Sequence, residues 1–93
     1  MQVSVMEVKL YAPWCNSLKD KRMIVKSLID RIKNKFNVSI AEVKYQDDHK
    51  VIGLGIAQIV SDSKMTGRVF DNILNFIEAN TDAEIVDSYT EIR

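Results

Sequence analysis

Apolar and polar residues alternate with a period of two at residues 3–12 and 84–92, and this pattern predicts two half-buried β-strands. Two further stretches, residues 38–45 and the nearly apolar residues 51–60, also have the character of strands. They are separated by the polar turn 46–50, so we expect them to pair as a hairpin.

Two other stretches have apolar residues spaced at three, four and seven, which predicts amphipathic helices. The first begins at Ser17 and stops at Asn37, and its apolar positions are Leu18, Val25, Leu28, Ile29, Ile32 and Phe36. The Ser17 hydroxyl is placed to accept a hydrogen bond from the amide of Asp20, and this would cap the helix. The second helix is predicted to start near Ser63 and to run to about Ala79.

The order strand, helix, strand, strand, helix, strand predicts an α+β fold of the ferredoxin-like βαββαβ type. In this sandwich a four-stranded antiparallel sheet carries both helices on one face, and the first and third strands are central. The first loop, the hairpin turn and the start of the first helix then lie at the same end of the sheet. With 93 residues, no repeat and one proline, the sequence predicts a single domain over residues 1–93.

Composition is that of an ordinary globular protein, with 46% hydrophobic and 28% charged residues. The lone Cys15 cannot form an internal disulfide, and charged residues interrupt the start of the chain where a secretory signal would be apolar. These features predict a cytoplasmic protein. The longest apolar run, residues 51–60, is too short to span a bilayer as a helix, so no membrane association is expected.

Charge is unevenly distributed, although the formal net charge is zero. Seven basic residues and two acidic ones lie between Lys19 and Lys35, whereas six acidic residues and one basic one lie between Asp71 and Arg93. Cations near a helix N-terminus are disfavoured, so something anionic is expected to offset them. Either a bound phosphate or an ion network with Asp20, Asp47 and Asp48 could do so.

The candidate nucleic-acid or anion-binding residues lie on the first helix and at its start; they are Ser17, Lys19, Lys21, Arg22, Lys26 and Lys33. Four of them, Lys19, Arg22, Lys26 and Lys33, fall within about 60° of one another at the helical 100° per residue. Such a basic row can follow a nucleic-acid backbone without sequence preference, or it can simply be solvated.

The sheet face that points away from the helices is predicted to lack the aromatic platform on which RNA-recognition domains stack bases. It is instead a candidate homodimer or partner face, carrying Val3, Val5, Tyr11, Gly53, Gly55 and Ala57. The two glycines have a second interpretation, because glycine in a strand also permits a bulge or the close approach of another backbone.

No catalytic residue, metal site or cofactor is predicted. Cys15 and His49 fall on loops at the same end of the sheet, but proximity alone does not make a nucleophile and base. Asp47, Asp48 and His49 are adjacent on one tight turn, and such neighbours rarely converge on one ion. The strand carboxylates, Glu7, Glu42, Asp87 and Glu91, are expected to be solvated.

Several motifs, in order and spacing, resemble the YlxP-like family of small bacterial proteins: Ser-Leu-Lys-Asp-Lys-Arg at 17–22, Lys-Phe-Asn-Val-Ser-Ile-Ala-Glu-Val at 35–43, and Leu-Gly-Ile-Ala at 54–57. The resemblance implies a ferredoxin-like fold and, through the genes that commonly neighbour the family, a role associated with RNA or the ribosome. The positions that match the family's motifs are Ser17, Leu18, Lys19, Lys21, Arg22, Asn37, Glu42 and Asp47, and no catalytic role is established for any of them.

We therefore expect a non-enzymatic protein that binds RNA or the ribosome, contacts phosphates through the first helix and forms a homodimer. The alternative is a small-molecule-binding regulatory module that acts as a homodimer; no small-molecule substrate is identified.

Overall fold

Four strands and two helices follow one another in the order that the sequence predicts, in a computed structural model that describes residues 1–61, 64 and 66–93. The elements are β1 (Gln2–Tyr11), α1 (Leu18–Lys35), β2 (Ser39–Lys44), β3 (Val51–Val60), α2 (Thr66–Asn80) and β4 (Glu84–Ile92). The predicted start of the second helix, Ser63, lies outside the described residues.

The strands form one antiparallel sheet in the order β2-β3-β1-β4, so β1 and β3 are central as predicted. Both helices contribute to a single hydrophobic core on one face of this sheet. The predicted ferredoxin-like α+β fold is therefore confirmed. Among the described residues, no helix combines the length and apolar character needed to cross a membrane.

The core is built from the faces that the alternation and helical periodicity indicate. On β1 and β3 the even-numbered residues are inside, and they meet one buried stripe from each helix. The buried residues of these four elements include Met6, Val8, Leu10, Val25, Leu28, Ile32, Ile52, Leu54, Ile56, Phe70, Ile73 and Ile77. Burying each large apolar side chain contributes about 1.5–3 kcal/mol.

Both ends of α1 have a local chemical cause. The Ser17 hydroxyl accepts a hydrogen bond from the Asp20 amide at 3.1 Å, which confirms the predicted N-terminal cap. At the other end Phe36 is extended, with φ −123° and ψ 141°, so the helix ends just before the predicted stop at Asn37. The Phe36 ring then packs edge-on against Phe76 of α2, with 5.7 Å between ring centroids.

Candidate functional site

An exposed row of cations runs along α1. Its members, which we call the basic ridge, are Lys19, Arg22, Lys26 and Lys33. Within the described part of the chain, none of these four side chains forms an ion pair or a hydrogen bond, so their charges face solvent. At 1.5 Å per residue the row extends for about 21 Å along the helix.

Lys21 does not belong to this surface, although the sequence predicts that it binds anions together with the basic ridge. Its side chain is only 2% exposed and lies on the core side of α1. The helical period explains why, because Lys21 lies four residues before the buried Val25, in line with Leu28 and Ile32. That alignment is visible in the sequence and was the signal for its burial. The prediction that Lys21 contacts phosphate is therefore wrong.

The Lys21 ammonium is held by three oxygen atoms. It donates hydrogen bonds to the carbonyl oxygens of Tyr45 at 2.5 Å and Asp48 at 2.6 Å, and its Nζ lies 2.8 Å from Glu42 Oε2. Two of the three N–H donors of the ammonium are used by the carbonyl oxygens, and Glu42 adds an ion pair, not a hydrogen bond. We call Lys21, Glu42 and these two carbonyls the Lys21 anchor. It fastens the first turns of α1 to the hairpin formed by β2 and β3.

Glu42 is also placed differently from the sequence-based expectation. Its side chain is 17% exposed and paired with Lys21, whereas it was expected to be solvated. The ion network with Asp20, Asp47 and Asp48, one of the two alternatives for offsetting these cations, does not hold Lys21, because Asp48 contributes its carbonyl oxygen. The Asp48 carboxylate instead accepts a hydrogen bond from the Lys50 amide at 2.8 Å and so stabilises the turn.

The first loop and the hairpin turn lie together at the end of the sheet where α1 begins, as predicted. The Lys50 ammonium donates hydrogen bonds to the carbonyl oxygens of Pro13 and Cys15, and the Ala12 amide donates to the Lys50 carbonyl at 2.7 Å. Tyr45, at the start of the turn, has a positive φ of 63°. Two lysines, Lys21 and Lys50, thus connect three chain segments through backbone carbonyls.

The sheet face away from the helices, which we call the open face, carries the predicted partner residues on the central strands. Val3, Val5, Gly55 and Ala57 are partly buried, and Tyr11 is 40% exposed. Ile59, which is 69% exposed, and Val43, which is 43% exposed, extend the apolar surface that these residues form.

Gly53 is not part of the accessible open face, which corrects the prediction for this residue. A β-bulge interrupts the pairing of β2 with β3 between Glu42 and Lys44, and Lys44 and Tyr45 cover Gly53. A Cβ atom at Gly53 would lie 2.8 Å from Lys44 Cβ and 3.0 Å from its carbonyl oxygen. Gly53 therefore has the second role considered for it: it lies at a bulge and allows the backbone of β2 to approach closely.

Charged and aromatic side chains occupy the rest of the open face. Lys44 Nζ lies 3.3 Å from Glu7 Oε2. The Tyr89 hydroxyl donates a 2.9 Å hydrogen bond to Glu91 Oε2, and Arg93 also donates to this oxygen. The Tyr89 hydrogen bond raises the pKa of Tyr89 and lowers the pKa of Glu91. A depression of about 90 Å³ lies between the two edge strands here.

Cys15 is buried, with 1% of its surface exposed, and its thiol donates to the Ser17 carbonyl at 3.6 Å. Among the described residues, no hydrogen bond joins the Cys15 thiol to His49. In residues 1–61, 64 and 66–93, no group of three or more His, Cys, Asp and Glu side chains is arranged to hold a metal ion.

Comparison with known proteins identifies a family and a relative of this chain. A family model described as "Protein of unknown function (DUF503)" matches residues 3–90. The "Uncharacterized protein YlxP" of Bacillus subtilis (strain 168) is 39% identical over 75 residues, which cover 81% of this chain and 82% of that protein. A solved structure titled "De novo designed protein Foldit4" is 18% identical, with a TM-score of 0.49, over 100% of this chain and 94% of that one.

Proposed function

Since this chain belongs to the DUF503 family of proteins of unknown function, we propose its function from its own surfaces: it binds the phosphate backbone of RNA through the basic ridge. The observation that carries the proposal is that the cations of α1 differ in their partners. Lys21 has three oxygen partners inside the protein, whereas the four ridge cations are exposed and have none in the described residues.

The length and position of the basic ridge suit a polyanion. A row of about 21 Å presents cations to several successive phosphates. The acidic residues of α2 and β4 are separate from it in sequence, while α1 packs on the side of β2 and β4 forms the opposite edge of the sheet. This charge separation would orient an approaching RNA toward α1. Such binding depends on the positions of the phosphates and not on the base sequence.

Salt dependence and charge reversal test the proposal together. Fluorescence anisotropy of a labelled single-stranded RNA, titrated with the protein at several salt concentrations, should give salt-sensitive binding. About four phosphate contacts to single-stranded RNA would give a slope of log K against log salt near −3. Arg22→Glu should weaken binding strongly, while the matched reversal Arg68→Glu on exposed α2 should have a much smaller effect. Absence of binding at low salt, or equal losses in the two variants, would refute it.

We further propose that the protein acts in the cytoplasm and without catalysing a reaction. Burial of the only cysteine argues against catalysis by a thiol, because a nucleophilic thiol must reach its substrate. Alkylation of Cys15 in the folded protein should be much slower than in the unfolded protein. Rapid alkylation of the native thiol at neutral pH would contradict a purely structural role.

A second copy of the chain is the partner that we propose for the open face. A standard interface removes about 800 Å² per partner from water. The mixed charges of Glu7 and Lys44 can pair across a two-fold axis, while Val5 and Ile59 provide apolar contact. Light scattering after gel filtration should give a dimer that Ile59→Lys dissociates and Met23→Lys, on exposed α1, does not. A wild-type monomer at high concentration would refute the dimer.

A further inference from the structure

We infer that the RNA bound on the basic ridge is single-stranded near the start of α1, with an unpaired base stacked on Trp14. The inference rests on the proposed function and adds a substrate class to it. Trp14 lies on the first loop and is 48% exposed, although tryptophan side chains are highly buried on average. It forms one wall of a groove of about 280 Å³.

The groove, which we call the Trp14 groove, runs between the first loop, α1 and the end of α2. Its α1 wall includes Met23, Ser27 and Arg31, which follow one another at intervals of four residues on one row of the helix. Met23 is 65% exposed and supplies a flexible apolar surface beside Trp14. The volume is slightly below the roughly 300–1,000 Å³ typical of small-molecule pockets, so the groove suits a single planar ring.

Charge complementarity indicates that the occupant belongs to a nucleic acid. Lys19 of the basic ridge precedes Met23 by four residues, so it extends the same row of α1 beyond the groove. Arg31 closes the row at its other end, and its guanidinium is held by a 3.2 Å hydrogen bond from Nη1 to Asn80 Oδ1. An apolar groove with a cation at each end matches a base flanked by phosphates. A base in a duplex is already stacked, so only an unpaired one can enter.

The fluorescence of Trp14 provides a direct test, because it is the only tryptophan of the chain. Three ligands are compared at low salt: a short single-stranded oligoribonucleotide, a duplex RNA and inorganic polyphosphate, which has charge but no bases. Stacking predicts that the oligoribonucleotide quenches Trp14 fluorescence, that polyphosphate binds without quenching, and that duplex RNA quenches little.

Binding constants of two variants complete the test. Trp14→Ala should weaken oligoribonucleotide binding by roughly 5- to 150-fold, the range that base stacking on an aromatic ring supports, and should leave polyphosphate binding unchanged. Trp14→Phe should retain most of the affinity. If the oligoribonucleotide binds tightly without quenching and Trp14→Ala has no effect, base stacking on Trp14 is refuted, whereas phosphate binding by the basic ridge is not. Failure of every ligand to bind would overturn the proposed function itself.

Discussion

Lys21 and Arg22 are adjacent in sequence and carry the same charge, but they lie in opposite environments. Lys21 is buried, where it donates hydrogen bonds to two carbonyl oxygens of the hairpin and forms an ion pair with Glu42. Arg22 is exposed, and in the described residues its guanidinium has no partner. One step along a helix turns a side chain by about 100°, which is enough to move a cation from the core to the solvent.

The difference shows that the basic motif at residues 17–22 contains both a buried structural cation and exposed ones. The Lys21 anchor works inside the protein, where an unpaired charge would be very costly. The basic ridge leaves its donors free for an external anion. A count of lysines and arginines therefore overestimates the cations that an external anion can reach, and each one has to be assigned by its position on the helix.

Removal of the Lys21 charge should have the largest effect on stability. Lys21→Met leaves Glu42 mostly buried without its partner and leaves two carbonyl oxygens without their donors. Loss of one member of a buried pair costs about 3–5 kcal/mol of unfolding free energy. Lys19→Met, on the basic ridge, should cost less than about 0.5 kcal/mol. Urea denaturation of both variants measures the difference, and equal losses would contradict the assignment of Lys21 to the core.

A double-mutant cycle isolates the pair within the Lys21 anchor. Glu42→Met alone should also destabilise the protein, because it leaves a buried ammonium with carbonyl partners only. The double variant should be more stable than the sum of the single losses predicts, by a coupling energy of about 0.5–3 kcal/mol. Strict additivity would mean that Lys21 and Glu42 do not interact in solution.

Two glycines extend the contrast between covered and open positions. Gly53→Ala places a Cβ 2.8 Å from Lys44 Cβ, and the resulting overpacking should cost about 1–3 kcal/mol. Gly67→Ala in α2 meets nothing within 4 Å and should stabilise the protein by about 0.4–1 kcal/mol. Thermal unfolding compares the two variants. If Gly53→Ala had no effect on stability, Lys44 of β2 could not lie as close to Gly53 as the structure has it.

The two ends of the basic ridge should respond to charge reversal with opposite signs in stability. Lys19→Glu places a negative charge in the first turn of α1 and should stabilise the fold by about 0.3–1 kcal/mol at low salt, whereas Lys33→Glu in the last turn should destabilise it by a similar amount. Both reversals should weaken RNA binding. Denaturation and anisotropy on the same samples separate the effects, and parallel changes in stability and affinity would argue against direct phosphate contact.

The smallest expected effect is the pH dependence from Tyr89 and Glu91 on the open face. The pKa of Glu91 is lowered by folding, so its contribution is present above pH 4.5 and is lost as the pH falls through the lowered value. The pKa of Tyr89 is raised, so its contribution is present below pH 10.0 and is lost as the pH rises further. Tyr89→Phe should flatten both limbs of a plot of melting temperature against pH, and an unchanged plot would exclude the hydrogen bond.

Much of the fold follows from local patterns in the sequence. Alternation on β1 and β3 identifies the core face, and the Ser17 cap identifies the start of α1, because both depend only on residues close together along the chain. The alternation is less regular on the edge strands β2 and β4. A bulge at Val43 in β2 and a register shift of β4 opposite Leu10 change which residues point to the core and which to the open face.

The Lys21 anchor could be predicted only in part. The helical period places Lys21 on the buried stripe, but its acceptors are Glu42 and two carbonyl oxygens, which become neighbours only when α1 packs against the hairpin. Every residue has a backbone carbonyl, so the sequence does not show which carbonyls accept a hydrogen bond from Lys21. In the sequence, a glutamate on a strand that forms a buried ion pair looks the same as one that is solvated. The Trp14 groove is similar, because its walls come from three separate segments of the chain.

The central claim, that neighbouring cations of α1 divide between anchoring and RNA binding, is tested most directly by the salt dependence of RNA affinity in two variants. Lys26→Met and Lys21→Met each remove one positive charge from α1, and circular dichroism establishes that both samples are folded at the temperature used. We predict that Lys26→Met makes the slope of log K against log salt shallower by about 0.7, one phosphate contact, and that Lys21→Met leaves it unchanged. A shallower slope for Lys21→Met with no change for Lys26→Met would contradict the account.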